Sequence, residues 1–511
     1  MRIQKLFRVI LTLLLLSLPP LQAQAAGEKP IKLLVYGATV IPVDGSGEYL
    51  ETGYLSVDSD GRLVEVASGA PSPELLASAE QVVDASGRII TPGFLSGHSH
   101  LYQSPFRGIG AHYTLKGWIA TYHGTYGPFY DPSDLYWYSR HGAMDYLGHG
   151  ITTIFDWTLN KDWSLDDYLG LYRGSLDSGA RIIFGYGIDS SKDLATNRAM
   201  LQQYLQTIRD EHMDTSNPKV PAVWMSGIGL LNGRHDAAME FTLAREFELP
   251  MQVHYLEEPD PAYVAIQRSL YPMYEEFGVL GEGFNFAHFI NTTDEILEKT
   301  GASGTGMIWN PLSNGRLASG LADIPKYLEY DIPVGMGIDG QASADISDPF
   351  ENMRMGMYAI RMKYQDAQAM MPLDVLRMHT IGTARVFGIE DQVGSLEPGK
   401  YADFVVIDPR AMETSPPIHP VEHVVLACSV ANLESVYVGG ELTVQRGEFL
   451  LSDYPEVTRE VTERLAAVRA RLEQARRDGF TTPKAFDAVP GYDSGTFVPE
   501  LEYPGYARPR E

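Results

Sequence analysis

The chain has 511 residues, 44% hydrophobic and 21% charged, with 49 glycines and 32 prolines, a composition that excludes global disorder and fibrous repeats and allows two to four domains. Lys+Arg 40 against Asp+Glu 66 gives a net charge of −26, the wrong sign for neutralising phosphates, so nucleic acid and acidic membranes are poor partners. The single cysteine, Cys428, excludes an intramolecular disulfide and a Cys-rich metal centre, leaving histidines and carboxylates to hold any metal.

The first 25 residues read as a secretory leader. Arg2, Lys5 and Arg8 precede the apolar run Val9 to Leu18, and Ala23-Gln24-Ala25 supplies a small-residue cleavage pattern. Cleavage after Ala25 takes the charge from −26 to −29, and no later apolar run is long enough to span a membrane. The mature protein is therefore expected to be soluble and periplasmic or secreted.

From about Lys32 to Thr91, short strand-like runs (Lys32 to Tyr36, Tyr54 to Val57, Leu63 to Ala67, Val82 to Asp84) alternate with Gly/Ser/Asp turns. The same register returns in Ala402 to Ile407, Glu434 to Val438 and Glu441 to Gln445. Residues 26–92 and 393–453 are thus predicted to close one small β-sandwich from both ends of the chain. Between them, 93–392, eight buried-strand candidates alternate with helix-like segments: Phe94 to His100, Ile151 to Trp157, Arg181 to Ile188, Val223 to Leu231, Met251 to Glu257, Phe284 to Ile290, Gly306 to Asn310 and Val334 to Asp339. The fold class is α/β, and seven spacings of roughly 34 residues suit a (β/α)8 barrel. In 454–511, Val457, Val461, Leu465, Val468 and Leu472 share one helical face before an irregular Pro/Tyr/Gly-rich tail.

Chemistry enters at Gly97-His98-Ser99-His100, where a strand would point both imidazoles to one face. Two such donors suit zinc or another borderline divalent ion, although an isolated HxH is weak evidence. Three later strand candidates also end in ligand-type residues: His254 with Glu257, His288, and Asp339. Barrel active sites are built at strand C-terminal ends, so four strands aim at one mouth.

Taken in order, Thr91-Pro92-Gly93-Phe94 with His98 and His100, then Leu101, Gln103, Arg107-Gly108 and Trp118, His254 with Glu257, His288, Asn310-Pro311 with Ser313-Asn314, Gly337 with Asp339-Gly340 and Ser343, and the return Gly394 to Asp403 resemble the amidohydrolase superfamily. The similarity is to its branch of cytosine, guanine and adenosyl-type deaminases and triazine hydrolases, and runs from about Lys32 to Phe449. It implies metal ligands His98, His100, His254 and Asp339, with His288 beside the activated water and Glu257 as proton shuttle. The catalytic set is then Glu257, His288 and Asp339, and Gln103, Arg107, Trp118 and Asn314 are candidate substrate contacts. Arg107 equally fits a structural ion pair. The metal would bring the pKa of a bound water to about 7.

Binuclear relatives bridge their metals with a lysine or carboxylate on the fourth strand. The fourth candidate, Val223 to Leu231, has neither, and Lys219 precedes it. One divalent ion is expected, Zn²⁺ first and Fe²⁺ second. The expected reaction is deamination of an amino-substituted nitrogen heterocycle by metal-activated hydroxide; the alternative is hydrolysis of an amide, carbamate or halide in the same site. The substrate is a small molecule, and a homo-oligomer is open. Tyr126-Gly127-Pro128 and Asp145 stand where relatives often carry glutamates, which leaves the substrate open too.

Overall fold

The computed structural model describes residues 30–158, 162–232 and 234–482; the expected leader and the end of the tail lie outside them. The first described strands are β1 (Ile31–Val40), β2 (Leu50–Asp58), β3 (Leu63–Ser68), β4 (Gln81–Asp84) and β5 (Ile89–Pro92). Strands β6 (Phe94–Ser96), β7 (Ser99–His100), β8 (Ile151–Trp157), β9 (Arg181–Tyr186), β10 (Val223–Gly227), β11 (Met251–Tyr255), β12 (Phe284–His288), β13 (Gly306–Trp309), β14 (Val334–Met336) and β15 (Asp339–Gly340) follow, with helices between them. The chain then returns through β16 (Phe404–Ile407), β17 (Leu433–Val438), β18 (Glu441–Gln445) and β19 (Glu448–Phe449).

Strands β6 and β8 to β14 pair in sequence order, all parallel. The ring closes where Gly97 N donates to Met336 O at 3.0 Å and Asp339 N to His98 O at 2.9 Å, with β15 parallel to β7. The first and eighth barrel strands are therefore each broken in two, at Gly97-His98 and at Gly337-Ile338. This is the (β/α)8 barrel expected from the sequence. Every residue of β8 and β9 is buried, the pattern of a parallel sheet covered on both faces.

Strands from both chain ends form one nine-stranded sheet, with β5 between β1 and β16. Alternation along β16 divides its side chains: Phe404 and Val406 join a small core with Leu33, Val35, Leu55 and Val57, whereas Val405 and Ile407 face the main core. Arg181, at the first residue of β9, sends Nε to Asp403 Oδ2 at 2.6 Å and Nη2 to Asp403 Oδ1 at 3.0 Å. Its guanidinium lies 3.8 Å from the centre of the Tyr401 ring, so one buried ion pair joins the barrel floor to the sheet.

Helix α1 (Pro132–Gly148) starts with Pro132 at its first turn and a capping box, Asp131 accepting from the Ser133 and Asp134 amides. Gly142 lets it press on the Leu101 carbonyl, where a Cβ would collide. Helix α2 (Pro311–Arg316) follows β13 and α3 (Pro349–Tyr364) follows β15. Helix α4 (Tyr454–Arg477) buries Val457, Val461, Val468 and Leu472, the stripe read from the sequence. It grips the start of α1 through Arg471 on Asp131 at 2.9 Å and on Asp134. Beyond it, Phe480 packs edge-on against Phe129, and Thr482 Oγ1 lies 3.1 Å from Thr125 Oγ1. Among the described residues no helix is long and apolar enough to cross a membrane.

Candidate metal centre and active site

Each expected ligand sits at a strand end or just beyond. His98 fills the break between β6 and β7, His100 ends β7, His254 is the fourth residue of β11, His288 ends β12 and Asp339 opens β15. The His98 and His254 ring centres are 4.6 Å apart, those of His98 and His100 4.8 Å, and those of His98 and His288 5.1 Å. Ligand atoms of His98, His100 and His254, and of His98, His288 and Asp339, lie within 4.8 Å of one another. Asp339 Oδ1 is 3.3 Å from His100 Nε2 and 3.7 Å from His98 Nε2.

Hydrogen bonds fix which ring nitrogen each histidine offers. Gln252 Nε2 donates to Gly97 O at 2.9 Å and to Asn285 Oδ1 at 2.8 Å, so its Oε1 accepts from His98 Nδ1 at 2.6 Å. Trp157 O accepts from His100 Nδ1 at 2.9 Å. Both Nδ1 atoms carry the proton, and both Nε2 lone pairs face the shared centre. His288 is the reverse: the Asn314 amide donates to its Nδ1 at 2.9 Å, so Nε2 keeps a proton and is a donor, 3.9 Å from Asp339 Oδ2.

The buried Nε2–H of His288 has no hydrogen-bond partner, and neither has the buried Nε2 lone pair of His98. An unpartnered buried imidazole lone pair is costly, and three imidazoles with one carboxylate form an N/O donor set suited to zinc or a similar divalent ion. The residues present therefore fit a metal.

Electrostatics separates the two carboxyls of the site. For Asp339, burial alone would raise the pKa, but its interactions with His100, His288 and His98 hold it well below the usual range. Ser313 Oγ donates to its Oδ2 at 2.5 Å and Gly340 N to its Oδ1 at 2.8 Å. Glu257, with Oε1 3.6 Å from His288 Nδ1, is pushed well above by burial and then by the Asp339 and Glu258 charges. Its Oε1 has no hydrogen-bond partner. Burial holds His98 and His254 well below the ordinary histidine value and His288 down at about 4, so the imidazoles are neutral at pH 7. Leu256, His288, Phe289 and Asp339 all have positive φ, between 45° and 71°. Strain of this kind clusters where side chains are held for function.

The expected substrate contacts divide. Gln103 is fully buried and its Oε1 has no hydrogen-bond partner; it lies against Gly340, where a Cβ would collide with it. Trp118 donates its indole N–H to Ala342 O at 2.7 Å and turns its ring toward His123. Of the two readings of Arg107, the structure shows the ion pair: Nη2 meets Asp145 Oδ2 at 2.6 Å, and Nε and Nη1 bond the Asp345 and Ser104 carbonyls. The Asn314 amide nitrogen donates to His288 Nδ1, and its Oδ1 has no hydrogen-bond partner. Lys219 lies at the floor, 3.7 Å from Glu441 of β18.

Sequence reasoning missed the parts played by Gln252 and Tyr146; Ser313 stood in the family pattern without a role, and His123 lay in the aromatic loop after the first strand, open between packing and substrate contact. Gln252 lies two residues before His254, hence on the same strand face, and that spacing was the available signal. The Tyr146 hydroxyl, which donates to Asp339 O, carries no local pattern, whereas Ser313 lies in the Asn310-Pro311 with Ser313-Asn314 pattern. His123, held neutral by burial with its pKa pushed down to about 3, stands 3.5 Å from Gln103 Nε2. Asn291 braces the Glu257 loop by donating to Leu256 O at 3.1 Å and Glu258 O at 3.3 Å.

Comparison with known proteins agrees with this architecture. The chain is 25% identical over 449 residues to 5-methylthioadenosine/S-adenosylhomocysteine deaminase 1 of Syntrophus aciditrophicus, covering 87% of this chain and 99% of that one. It is 25% identical over 417 residues to 5'-deoxyadenosine deaminase of Methanopyrus kandleri, covering 81% and 94%. The fold matches an adenosine deaminase from Xanthomonas campestris with bound zinc at TM-score 0.74 and 20% identity, covering 87% and 99%. Zinc-complexed atrazine chlorohydrolase from Arthrobacter aurescens matches at TM-score 0.74 and 20% identity, covering 84% and 99%. The Amidohydrolase family model matches residues 89–443, from the strand before the barrel to the return into the small sheet, and the chain belongs to that family.

Proposed function

We propose that this amidohydrolase is an exported deaminase that removes an amino group from a carbon of a nitrogen heterocycle, using one divalent ion, zinc, held by His98, His100, His254 and Asp339. The observation that carries the reading is the convergence of His98, His100, His254 and Asp339 at one barrel mouth beside Glu257 and His288, the two carboxyls being shifted in opposite directions, Asp339 down and Glu257 up. Opposed carboxyls in one site are how acid and base roles are assigned at a single pH. When bound, the ion supplies Lewis acidity and lowers the pKa of a water to about 7.

The remaining chemistry belongs to the chain. Asp339 accepts a proton from the attacking water. Glu257 delivers its proton to the ring nitrogen and is reprotonated by the hydroxyl of the adduct as the carbonyl forms, while the proton taken by Asp339 leaves on the departing amine, so that water and substrate become a ring carbonyl and ammonia. The His288 Nε2–H stabilises the oxygen as charge develops on it. Gln103 Oε1 offers an acceptor at the mouth, and Trp118 with His123 forms an uncharged wall suited to a flat ring. Similarity to curated deaminases that act on adenosine derivatives supports the substrate class, and the basic, apolar and small-residue order of the first 25 residues supports export.

The test is a panel of aminated purines, adenosine derivatives, pyrimidines and triazines, followed by ammonia release and product mass. Stoichiometric ammonia is expected. Chloride, alcohol or carboxylate products without ammonia would replace deamination with the broader hydrolytic reading. Elemental analysis is expected to find one zinc per chain, and mass spectrometry of the mature protein an N-terminus at Ala26.

A further inference from the structure

Away from the metal centre, a buried histidine and asparagine join three elements that present its ligands. His379 lies in the kinked segment Met378–Gly382, where Thr380 leaves helical geometry at φ −135°, ψ −107°. Its Nδ1 is 2.9 Å from Leu95 O on β6, and its Nε2 is 2.9 Å from Asn352 Nδ2 on α3. A carbonyl only accepts and an amide nitrogen only donates, so Nδ1 carries the proton and Nε2 receives. Burial holds the imidazole down at about 4, which keeps it neutral. The second Asn352 amide hydrogen goes to Gly337 O at 3.0 Å, and Asn352 Oδ1 accepts from Leu312 N at 3.2 Å. Every polar atom of the pair is used.

Their partners stand one to three residues from the site. Leu95 is three before His98. Gly337, in the break of the eighth barrel strand, is two before Asp339. Leu312 immediately precedes Ser313, which bonds Asp339, and Asn314, which bonds His288. We infer that His379 and Asn352 are positioning residues that set the spacing of His98, Asp339 and the Ser313–Asn314 turn, an inference that rests on reading these ligands as a metal site. The tie acts at the breaks between β6 and β7 and between β14 and β15, where the Gly97 N–Met336 O and Asp339 N–His98 O bonds already join the two strands.

The test measures zinc affinity of the apo protein by competition with a chromophoric chelator, beside Tm, kcat and KM. His379→Leu and Asn352→Leu keep apolar bulk but orphan Leu95 O or Gly337 O. Each is expected to weaken zinc binding by about 10- to 100-fold, the range for groups that orient ligands, and to lower kcat with KM within about twofold. His379→Gln, whose amide can donate to Leu95 O and accept from Asn352, should recover affinity to within about threefold. If His379→Leu fails to fold, Asn352→Ser reads the Gly337 side with a smaller perturbation, and the same direction is expected. Zinc affinity within about twofold of wild type in the leucine variants, with only Tm reduced, would overturn the inference. Affinity is read without substrate, so a failed ammonia assay leaves this result standing, whereas a wild-type chain that binds no zinc would overturn the site reading and this one together.

Discussion

The two ends of the barrel treat buried charge in opposite ways. At the floor, Arg181 and Asp403 are each almost fully buried and paired by two hydrogen bonds, with the Gly439 amide adding a third contact to Asp403 at 2.7 Å. At the mouth, His98 Nε2, His288 Nε2, Glu257 Oε1 and Gln103 Oε1 are as deeply buried and have no hydrogen-bond partner. The floor pair spends its charges on each other, and these four mouth atoms are left open. The C-terminal ends of barrel strands carry chemistry and the N-terminal ends carry stability; here the contrast is visible atom by atom.

The sharpest way to separate the two ends is Glu257→Gln. The amide fills the same space but shuttles no proton, so turnover should fall by about 10²- to 10⁴-fold while Tm and zinc content stay at wild-type values. Rates within about tenfold of wild type would make Glu257 a spectator and pass its role to His288. Next in size, Asp403→Ala leaves Arg181 buried without a counter-ion and should cost about 3–5 kcal/mol of stability. In urea unfolding that loss should appear with kcat at 25 °C unchanged; a large fall in kcat would show that the ends are coupled. Removing the metal by chelation touches only the mouth. Because an ion binding only the folded chain stabilises it, Tm should drop on chelation, by the equivalent of about 4 kcal/mol when zinc had been at 1,000 times its Kd. Scanning calorimetry reads this directly.

The smallest effect concerns Glu240, which accepts from the Ile228 amide at 3.1 Å and the Gly229 amide at 2.8 Å in the turn after β10. Burial pushes its pKa up to about 8 from 4.5. Between those values the folded chain holds a proton that the unfolded chain has released, so this contribution is full below about pH 4.5 and lost as pH rises through about 8. Relative to Glu240→Gln, wild-type urea midpoints should decline from pH 5 to pH 9, with a slope of at most about 1.4 kcal/mol per pH unit. Parallel profiles would assign the carboxyl an ordinary pKa.

The mouth was far more legible in sequence than the floor. Eight buried runs begin where the eight barrel strands begin, because a strand covered on both faces is written as a continuous apolar stretch. Ligand-type residues at their ends then mark the mouth. The runs overshot the strand ends: Arg181 to Ile188 stops pairing at Tyr186, since Ile188 stays buried in the loop after hydrogen bonding to neighbouring strands has ceased. The predicted sandwich is one curved nine-stranded sheet, a distinction that alternation alone does not encode. Arg181 and Asp403 were invisible as a pair, since 222 positions separate them and nothing local to either points to the other. Asn352 escaped for the same reason, its partners being set by the closed barrel rather than by spacing.

The place of β5 has a kinetic consequence. It pairs in parallel with β1 and antiparallel with β16, through Ile90 with Val406 and Thr91 with Val405, partners more than 300 residues apart in the chain. The N-terminal strands can find one another early, but the outer edge of β5 stays open until the whole barrel and its return segment have been synthesised. Such late, long-range closure slows folding and leaves an unpaired strand edge exposed meanwhile. A chain cut anywhere before Phe404 would keep that edge permanently, and aggregation rather than partial activity is what truncated forms should display.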